Sequence, residues 1–322
     1  YETSKGIKGI TSDDVFIGNG VSEVVSFALT PLLNDGYEVL VPSPSYSLWG
    51  NSVYLEDGKP VFYTCDEQAN WYPDIKDIRS MITDKTKAIV IINPNNPTGV
   101  LYPKELLLEI IQIARESGLL IFADEIYDRL VMDGKQHISL ASLTEDVPVI
   151  TLNGLSKSHC LCGYRCGWMV ISGPRELTED YRQGIIQLTS LRLCANTLAQ
   201  IVIPAALDDM ETPASMVRPG GRIYEQREAT VRELEKIDGL SFVKNDAAFY
   251  VFPKLDVKKF NITNDKQFAH DLLDATNILL VPGSGFDWKD PDHFRIVMLP
   301  QADILSDAIR RMGTFLDGYK QK

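Results

Sequence analysis

The sequence predicts an α/β protein with a large, mostly parallel sheet between helices, followed by a smaller α+β domain. In the first two thirds, continuous apolar runs such as "KAIVII" (87–92) and "LLIFADE" (119–125) alternate with helical patterns such as "KELLLEIIQIARESG" (104–118). Such alternation is typical of a parallel sheet that helices cover on both faces. After about residue 210 the pattern changes to a long polar helix and short strands. We therefore expect a large domain over residues 1–212 and a small domain over residues 213–322.

Each element is predicted from its own stretch of sequence. Short apolar runs between turn residues predict strands, and apolar residues at helical spacing predict helices, with Gly118 as a C-cap. The predicted strands cover 14–18, 37–42, 87–92, 119–125, 147–152 and 167–172, then 240–243, 247–252, 278–281 and 293–299. The predicted helices cover 22–33, a segment from about residue 46, 104–118, 222–237 and about 301–318.

The composition of the chain argues against several classes of partner and location. The chain has 322 residues and a net charge of −12, which argues against nucleic acid or an anionic membrane as the main partner. No apolar run is long enough to span a bilayer, and no signal peptide is visible. Five cysteines in a chain of this length do not suggest a disulfide framework. We expect reduced thiols and a cytoplasmic protein.

Polar groups follow several of the predicted strands. Gly20–Ser22, Asn96, Asp124 and Lys157 each lie just after an apolar run. Ligands of parallel sheets bind beyond the carboxyl ends of the strands. The sequence therefore predicts one binding site at this edge, in which the free N–H groups of the Gly20–Ser22 turn could hold a phosphate.

Each of these groups also has a purely structural explanation. Asp124 could be a helix N-cap or the partner of an arginine, and Asn96 could simply fix the turn "NPNNPTG". The turn at Gly20–Ser22 could be an ordinary capped helix. Tyr46 is either an aromatic that stacks on a flat ring or a core residue. Arg295, inside an apolar strand, could bind a substrate carboxylate or form a buried salt bridge.

Cys160, Cys162 and Cys166, with His159 beside them, form a cysteine-rich stretch. Their separations of one and three residues, without a second pair nearby, disfavour a zinc site. We expect no metal and predict small buried hydrophobic side chains.

Together these stretches resemble the class I/II aminotransferases of fold type I, which use pyridoxal 5′-phosphate (PLP). "NPNNPTG" (93–99), "ADEIY" (123–127) and "NGLSK…GYRCGW" (153–168) occur in the order and spacing of that family. Further support comes from "IGNGVSE" (17–23), "RLCAN" (192–196), "PGGRIYEQR" (219–227) and "HFRIVMLP" (293–300). The resemblance covers essentially the whole chain and is closest to bacterial alanine aminotransferases.

The resemblance implies a role for each residue of the site. Lys157 would bond the cofactor covalently and, once released by substrate, move the Cα proton. Asp124 would keep the pyridine nitrogen protonated. The ring would be held at its phenolic oxygen by Tyr127 and Asn96, and on its face by Tyr46. The substrate α-carboxylate would be held by Arg295 and Asn96. The phosphate would be held by Gly20, Val21, Ser22, Ser156 and Arg165.

Tyr1 opens a "Y-x-x-x-x-G" segment, which in this family reaches the phosphate of the other subunit. The resemblance thus implies a homodimer with shared active sites. It also implies an N-terminal arm and a helical segment near residues 7–8 that this sequence does not contain. Three further departures are Gly154 in place of a serine, Cys160 in place of an arginine and Ala247 in place of a glycine.

The implied activity is transfer of an amino group between an L-amino acid, with alanine favoured, and a 2-oxo acid, with 2-oxoglutarate/glutamate favoured, by a ping-pong mechanism. Two alternatives stay open. One is a PLP-dependent carbon–sulfur lyase with the same fold and lysine. The other is a non-catalytic, aminotransferase-like sensor domain.

Overall fold

The computed structural model describes residues 1–322, and its largest element is an eight-stranded sheet. The strands of this sheet are β1 (Val15–Asn19), β2 (Glu38–Ser43), β3 (Lys59–Asp66), β4 (Tyr72–Pro73), β5 (Thr86–Ile92), β6 (Leu120–Asp124), β7 (Val149–Gly154) and β8 (Cys166–Ser172). Their order is β1-β8-β7-β6-β5-β2-β3-β4. β7, β6, β5, β2 and β3 run parallel, whereas β8 is antiparallel to both neighbours and β4 is antiparallel to β3. The predicted α/β class and mostly parallel sheet are confirmed.

Helices cover both faces of this sheet. The helices of the whole chain are α1 (Val21–Leu29), α2 (Leu48–Leu55), α3 (Ile75–Met81), α4 (Lys104–Ser117), α5 (Leu155–Ser158), α6 (Arg175–Arg192), α7 (Thr197–Asp208), α8 (Glu211–Val217), α9 (Arg222–Leu234), α10 (Val257–Phe260), α11 (Asp265–Thr276) and α12 (Ala302–Gly318). Short 3-10 helices span Thr3–Lys5, Ser12–Asp14, Glu67–Ala69, Leu140–Leu143, Cys162–Tyr164 and Gly283–Phe286.

Two hydrophobic cores lie on opposite sides of the sheet. α3 and α4 bury their apolar side chains in one core, and α1 and α2 bury theirs in the other. α4 ends where predicted, because Gly118 adopts the left-handed conformation with φ 65°. None of the helices combines the length and the apolar composition that crossing a membrane would require.

The reversed direction of β8 determines what meets at one edge of the sheet. Because β8 runs against β1 and β7, its first residue lies beside their last residues: Cys166 pairs with Asn19, and Gly167 pairs with Gly154. The turn before α1 crosses directly over this point. A Cβ at Gly167 would lie 2.4 Å from the Val21 nitrogen, so only glycine fits there.

The C-terminal part builds separate, smaller sheets. Its strands are β9 (Leu240–Ser241), β10 (Tyr250–Val251), β11 (Lys254–Leu255), β12 (Val281–Pro282) and β13 (Phe294–Val297). β10, β13 and β12 form one antiparallel sheet, and β11 pairs with β9. A third core between α9, α11 and α12 covers the three-stranded sheet. The division expected between residues 212 and 213 falls inside α8.

Several strand predictions need correction. The runs 240–243 and 247–252 form strands only at Leu240–Ser241 and Tyr250–Val251. The apolar run 278–281 predicted a strand, but only Val281–Pro282 pairs with β13, so residues 278–280 lie outside it. Conversely, β3 was missed, because its sequence "KPVFYTCD" mixes exposed and buried positions without regular alternation.

Candidate active site

A cavity of about 290 Å³ lies at the edge where the parallel strands end. Nearly all of the predicted site residues line it, and they come from separate parts of the chain. These are Val21, Ser22, Tyr46, Asn96, Asp124, Tyr127, Ser156, Lys157, Arg165 and Arg295. Gly20 lies in the turn directly behind Arg165, and Tyr1 lies elsewhere. The sheet topology thus gathers the polar groups that follow its strands, as predicted.

Asp124 forms a buried negative group in the cavity wall. It is the last residue of β6, and its Oδ2 accepts a hydrogen bond from the indole Nε1 of Trp49 at 3.0 Å. Burial raises the pKa of Asp124 to about 6, although the Trp49 indole, the Ile126 N–H and the Lys157 amine each favour its charged form. A carboxylate in this position favours a cationic ligand group beside it.

Lys157 supplies a half-buried amine to the same cavity. It lies in α5, the single turn that follows β7. Burial, reinforced by the nearby cations Arg295 and Arg165, lowers the pKa of the amine, although Cys162 and Asp124 oppose this change. A larger fraction of this amine is therefore neutral and able to act as a nucleophile or base than for an ordinary lysine.

Arg165 and the N-terminus of α1 form an anion pocket. The Arg165 Nη2 donates to the Ser22 hydroxyl at 3.1 Å, and its Nη1 donates to the Cys162 carbonyl at 2.9 Å. The first N–H groups of α1 have no partner within the helix, and the helix dipole favours a negative charge there. The glycine before them is required: Gly20 has φ 83°, and a Cβ at this position would lie 2.3 Å from Arg165 Nη2.

The cavity also contains a second cation, which comes from the smaller sheet. Arg295 of β13 donates from Nη1 to the Asn96 Oδ1 at 2.9 Å. Its guanidinium lies over the rings of Tyr250 and Phe286, with its carbon 4.5 Å and 4.6 Å from their centroids. The Nε of Arg295 is buried without a hydrogen-bond partner. This part of the cavity can therefore bind a carboxylate.

Two functional-site neighbours were missed from the sequence. Tyr250 lines the cavity, and its hydroxyl lies 2.8 Å from the Tyr127 hydroxyl. Trp49 binds Asp124 from α2. The sequence predicted only a strand over 247–252 and a helix from about residue 46, because the contacts of these aromatics cross between elements that are distant in sequence.

The prediction for the cysteines was partly wrong. Cys166 is buried, but Cys160 and Cys162 are exposed. The chain between α5 and β8 turns away from the core, with Cys160 at φ 56° and Arg165 at φ 57°. Cys162 therefore lines the cavity beside Lys157 and Arg165, in place of packing as a small hydrophobic residue.

Tyr1 lies outside the cavity and contacts a buried group of charged side chains. Its hydroxyl donates to Asp128, and its ring lies beneath the Arg129 guanidinium. Lys5 Nζ lies 2.6 Å from Glu125 Oε2 and 3.1 Å from Asp128 Oδ2. These two carboxylates and His137 are close enough to hold a metal ion, but the lysine already supplies the positive charge between them.

The chain is similar in sequence to known proteins. Residues 1–309 match the family described as "Aminotransferase class I and II". The chain is 51% identical to "Glutamate-pyruvate aminotransferase AlaA" of Haemophilus influenzae over 321 residues, which is 100% of this chain and 80% of the relative. It is 46% identical to "Alanine aminotransferase" of Mycobacterium tuberculosis over 321 residues, with 100% and 75% covered.

Solved structures are similar over the same length. An aminotransferase from Escherichia coli superposes with a TM-score of 0.98 at 48% identity, covering 100% of this chain and 80% of that one. An alanine aminotransferase from Pyrococcus furiosus superposes with a TM-score of 0.93 at 42% identity, covering 98% and 79%. The chain belongs to the class I and II aminotransferases.

Proposed function

We propose that the protein binds PLP and transfers the amino group of L-alanine to 2-oxoglutarate, forming pyruvate and glutamate by a ping-pong mechanism. The observation that carries this proposal is one cavity lined by the Lys157 amine, the Asp124 carboxylate and the guanidinium groups of Arg165 and Arg295. These groups suit a cofactor phosphate and a substrate carboxylate within one site.

The residues of the cavity fit PLP. The buried Asp124 carboxylate suits a protonated pyridine nitrogen, and Arg165, Ser22, Ser156 and the first N–H groups of α1 suit the phosphate. Gly154 leaves no space for a side chain, because a Cβ there would lie 2.5 Å from the Cys166 carbonyl oxygen. Ser156 is then the hydroxyl that this loop offers.

PLP supplies, when bound, an electron-poor ring that accepts the negative charge left at Cα after proton removal. Arg295 and Asn96 bind the substrate α-carboxylate and thereby orient the Cα–H bond. The amine of Lys157 would take this proton and move it. Asp124 would keep a proton on the ring nitrogen, Tyr127 and Asn96 would hold the phenolic oxygen, and Tyr46 would hold the ring face; all four line the cavity.

The choice of alanine is supported by relatives at 46% and 51% identity whose names give alanine or glutamate and pyruvate as substrates. It is tested by the absorbance of the PLP-loaded enzyme. L-alanine alone and L-glutamate alone should each remove the visible band of bound PLP, and pyruvate or 2-oxoglutarate should restore it. Loss of the band with glutamate but not with alanine would indicate another amino donor. Pyruvate and ammonia formed from a cysteine-type substrate would indicate a lyase, and an unchanged band would indicate a sensor.

Replacing Gly20 by alanine should weaken PLP binding at least about tenfold, because the added Cβ displaces the Arg165 guanidinium from the phosphate position. The dissociation constant is measured by titrating the cofactor-free variant with PLP. Gly118→Ala is the matched control: Gly118 has φ 65°, and its Cβ would meet no atom within 4 Å. Equal PLP affinity of the two variants would contradict the assigned phosphate pocket.

We also propose a homodimer with shared active sites, in the cytoplasm. Four exposed apolar side chains on α6, α7 and the turn between them, namely Leu191, Leu193, Leu198 and Ile201, support an interface. Free cysteines are typical of a reducing compartment and support the cytoplasm.

Tyr1 bears on the dimer. Its hydroxyl binds Asp128 of the same chain, so the predicted contact between Tyr1 and a phosphate requires a second copy of the chain. Light scattering should give twice the chain mass of 36.0 kDa, and a value equal to one chain would refute the dimer.

A further inference from the structure

His293 is a fully buried titratable residue that the proposed chemistry does not use. It directly precedes β13 and lies two residues before Arg295. Its Nδ1 is 2.7 Å from Asp292 Oδ1, and its Nε2, which has no hydrogen-bond partner, is 3.6 Å from Glu67 Oε1. Glu67 belongs to the 3-10 helix that follows β3 of the large sheet. The imidazole therefore lies between a carboxylate of its own strand segment and one from the large sheet.

Aromatic rings enclose the imidazole on its other sides. Phe252 stacks on it with 4.9 Å between the ring centroids and 18° between the planes. Trp71 and Trp288 approach edge-on, each with its centroid 5.2 Å away. Trp71 precedes β4 of the large sheet, whereas Phe252 and Trp288 belong to the C-terminal part. The cage thus joins the two parts of the chain around His293.

The charged groups that face the imidazole are Asp292, Glu67 and, through them, Lys254. Lys254 Nζ lies 3.0 Å from Glu67 Oε2 and 3.4 Å from Asp292 Oδ2. Burial alone would lower the pKa of His293, but the two carboxylates outweigh it and raise the pKa. Burial likewise opposes charge on Asp292, yet its contacts with His293, Trp288 and Lys254 lower its pKa to about 2. The two carboxylates therefore favour the imidazolium over the neutral imidazole.

A continuous series of contacts leads from His293 to Arg295. Phe252, which stacks on His293, also meets Phe286 edge-on at 5.9 Å, and Phe286 lies beneath the Arg295 guanidinium. The backbone around His293 is fixed as well, because its carbonyl accepts the Gly283 N–H at 2.8 Å. A shift of His293 relative to Glu67 would therefore move the strand that carries Arg295.

We propose that His293 is a positioning residue for Arg295: its imidazolium, held between Asp292 and Glu67, fixes strand β13 against the large sheet and so sets the place of the substrate-binding guanidinium. This inference rests on the proposed role of Arg295 in binding the substrate carboxylate.

The test is the His293→Gln substitution in the PLP-loaded enzyme. We expect the KM for 2-oxoglutarate to rise about tenfold, with kcat changed less than about threefold and PLP affinity unchanged, because only carboxylate binding is disturbed. His270→Gln, the same change at an exposed position of α11, is the matched control and should leave all three values unchanged. A purely structural role would lower thermal stability and leave the ratio of KM to kcat as in the control, which would overturn the proposal.

The pH dependence gives a second readout. A histidine with a raised pKa contributes fully as a cation below its unfolded value of about 6.5, and this contribution is lost as the pH rises through the folded value. In the unmodified enzyme the KM for 2-oxoglutarate should therefore increase at alkaline pH, and His293→Gln should lack this increase. An identical profile in both proteins would exclude the imidazolium as its origin.

Glu67→Gln provides an independent variant if His293→Gln does not fold. It removes the charge that binds the imidazole from the large-sheet side, so it should raise the KM in the same direction. The double variant should show less than the sum of the two effects, since both act through one ion pair. Additive effects would refute the shared path. If the enzyme does not transaminate, the affinity for 2-oxoglutarate is measured by calorimetry in place of the KM. Failure of the proposed function is then distinguished from failure of this inference.

Discussion

The Lys157→Ala variant is expected to lose transamination by at least about a thousandfold while it still binds PLP noncovalently. The amine of Lys157 lies in the cavity with Asp124, and burial lowers its pKa towards the range in which it can move a proton. The other contacts that suit the phosphate and ring remain in the variant. Steady-state rates with alanine and 2-oxoglutarate, together with a PLP titration, measure both halves of this expectation.

Lys8→Ala is the control for the loss of a lysine as such. Lys8 is exposed and pairs with Glu145 at the surface, at 2.7 Å. It should turn over like the unmodified enzyme. Normal turnover by Lys157→Ala would remove the amine from the mechanism altogether, whereas loss of PLP binding together with activity would mean that the lysine serves mainly to retain the cofactor.

Asp124→Asn should lower kcat by about a hundred- to a thousandfold with little change in volume. The amide can still accept the hydrogen bond of Trp49, but it cannot balance a positive charge on the ring nitrogen. A ring without that proton is a poor acceptor of negative charge from Cα. Single-turnover rates with L-alanine isolate this step from product release.

The fall of PLP affinity at acidic pH, which we call the acid limb, should depend on the same carboxylate. Asp124 has a pKa of about 6 in the ligand-free cavity, so below this pH it is increasingly neutral and attracts a cationic nitrogen less. PLP affinity of the unmodified protein should fall as the pH is lowered through about 6, and Asp124→Asn should lack this step. Asp84→Asn, at an exposed turn before β5, should retain it. A full acid limb in Asp124→Asn would assign it to another group.

The site could be predicted from the sequence because most of its residues directly follow predicted strands. Asn96, Asp124 and Lys157 could be grouped from the order of residues alone, because parallel strands deliver their following residues to one edge. Arg295 could be assigned only by resemblance, since its strand belongs to a different sheet. Its contact with Asn96 bridges the two sheets, and no local pattern encodes such a contact.

The errors in the prediction have physical causes of the same kind. Residues 278–280 are as apolar as a buried strand, but a strand also needs a pairing partner, and β13 pairs with this segment only at Val281 and Pro282. Cys160 and Cys162 are small and apolar enough for a core, yet the positive φ of Cys160 directs this turn outwards. Strand pairing determined the first outcome and backbone conformation the second, and composition predicts neither.

The antiparallel course of β8 has a consequence for how this enzyme can vary. Lys157 and Arg165 both lie in the connection between the paired strands β7 and β8, so eight residues of chain anchored to one sheet limit their separation, whereas Arg295 is carried by another sheet. We therefore expect retention of the cofactor and choice of substrate to be separable traits. Substitutions around β12 and β13 can change which substrate acid is bound without changing the affinity for PLP.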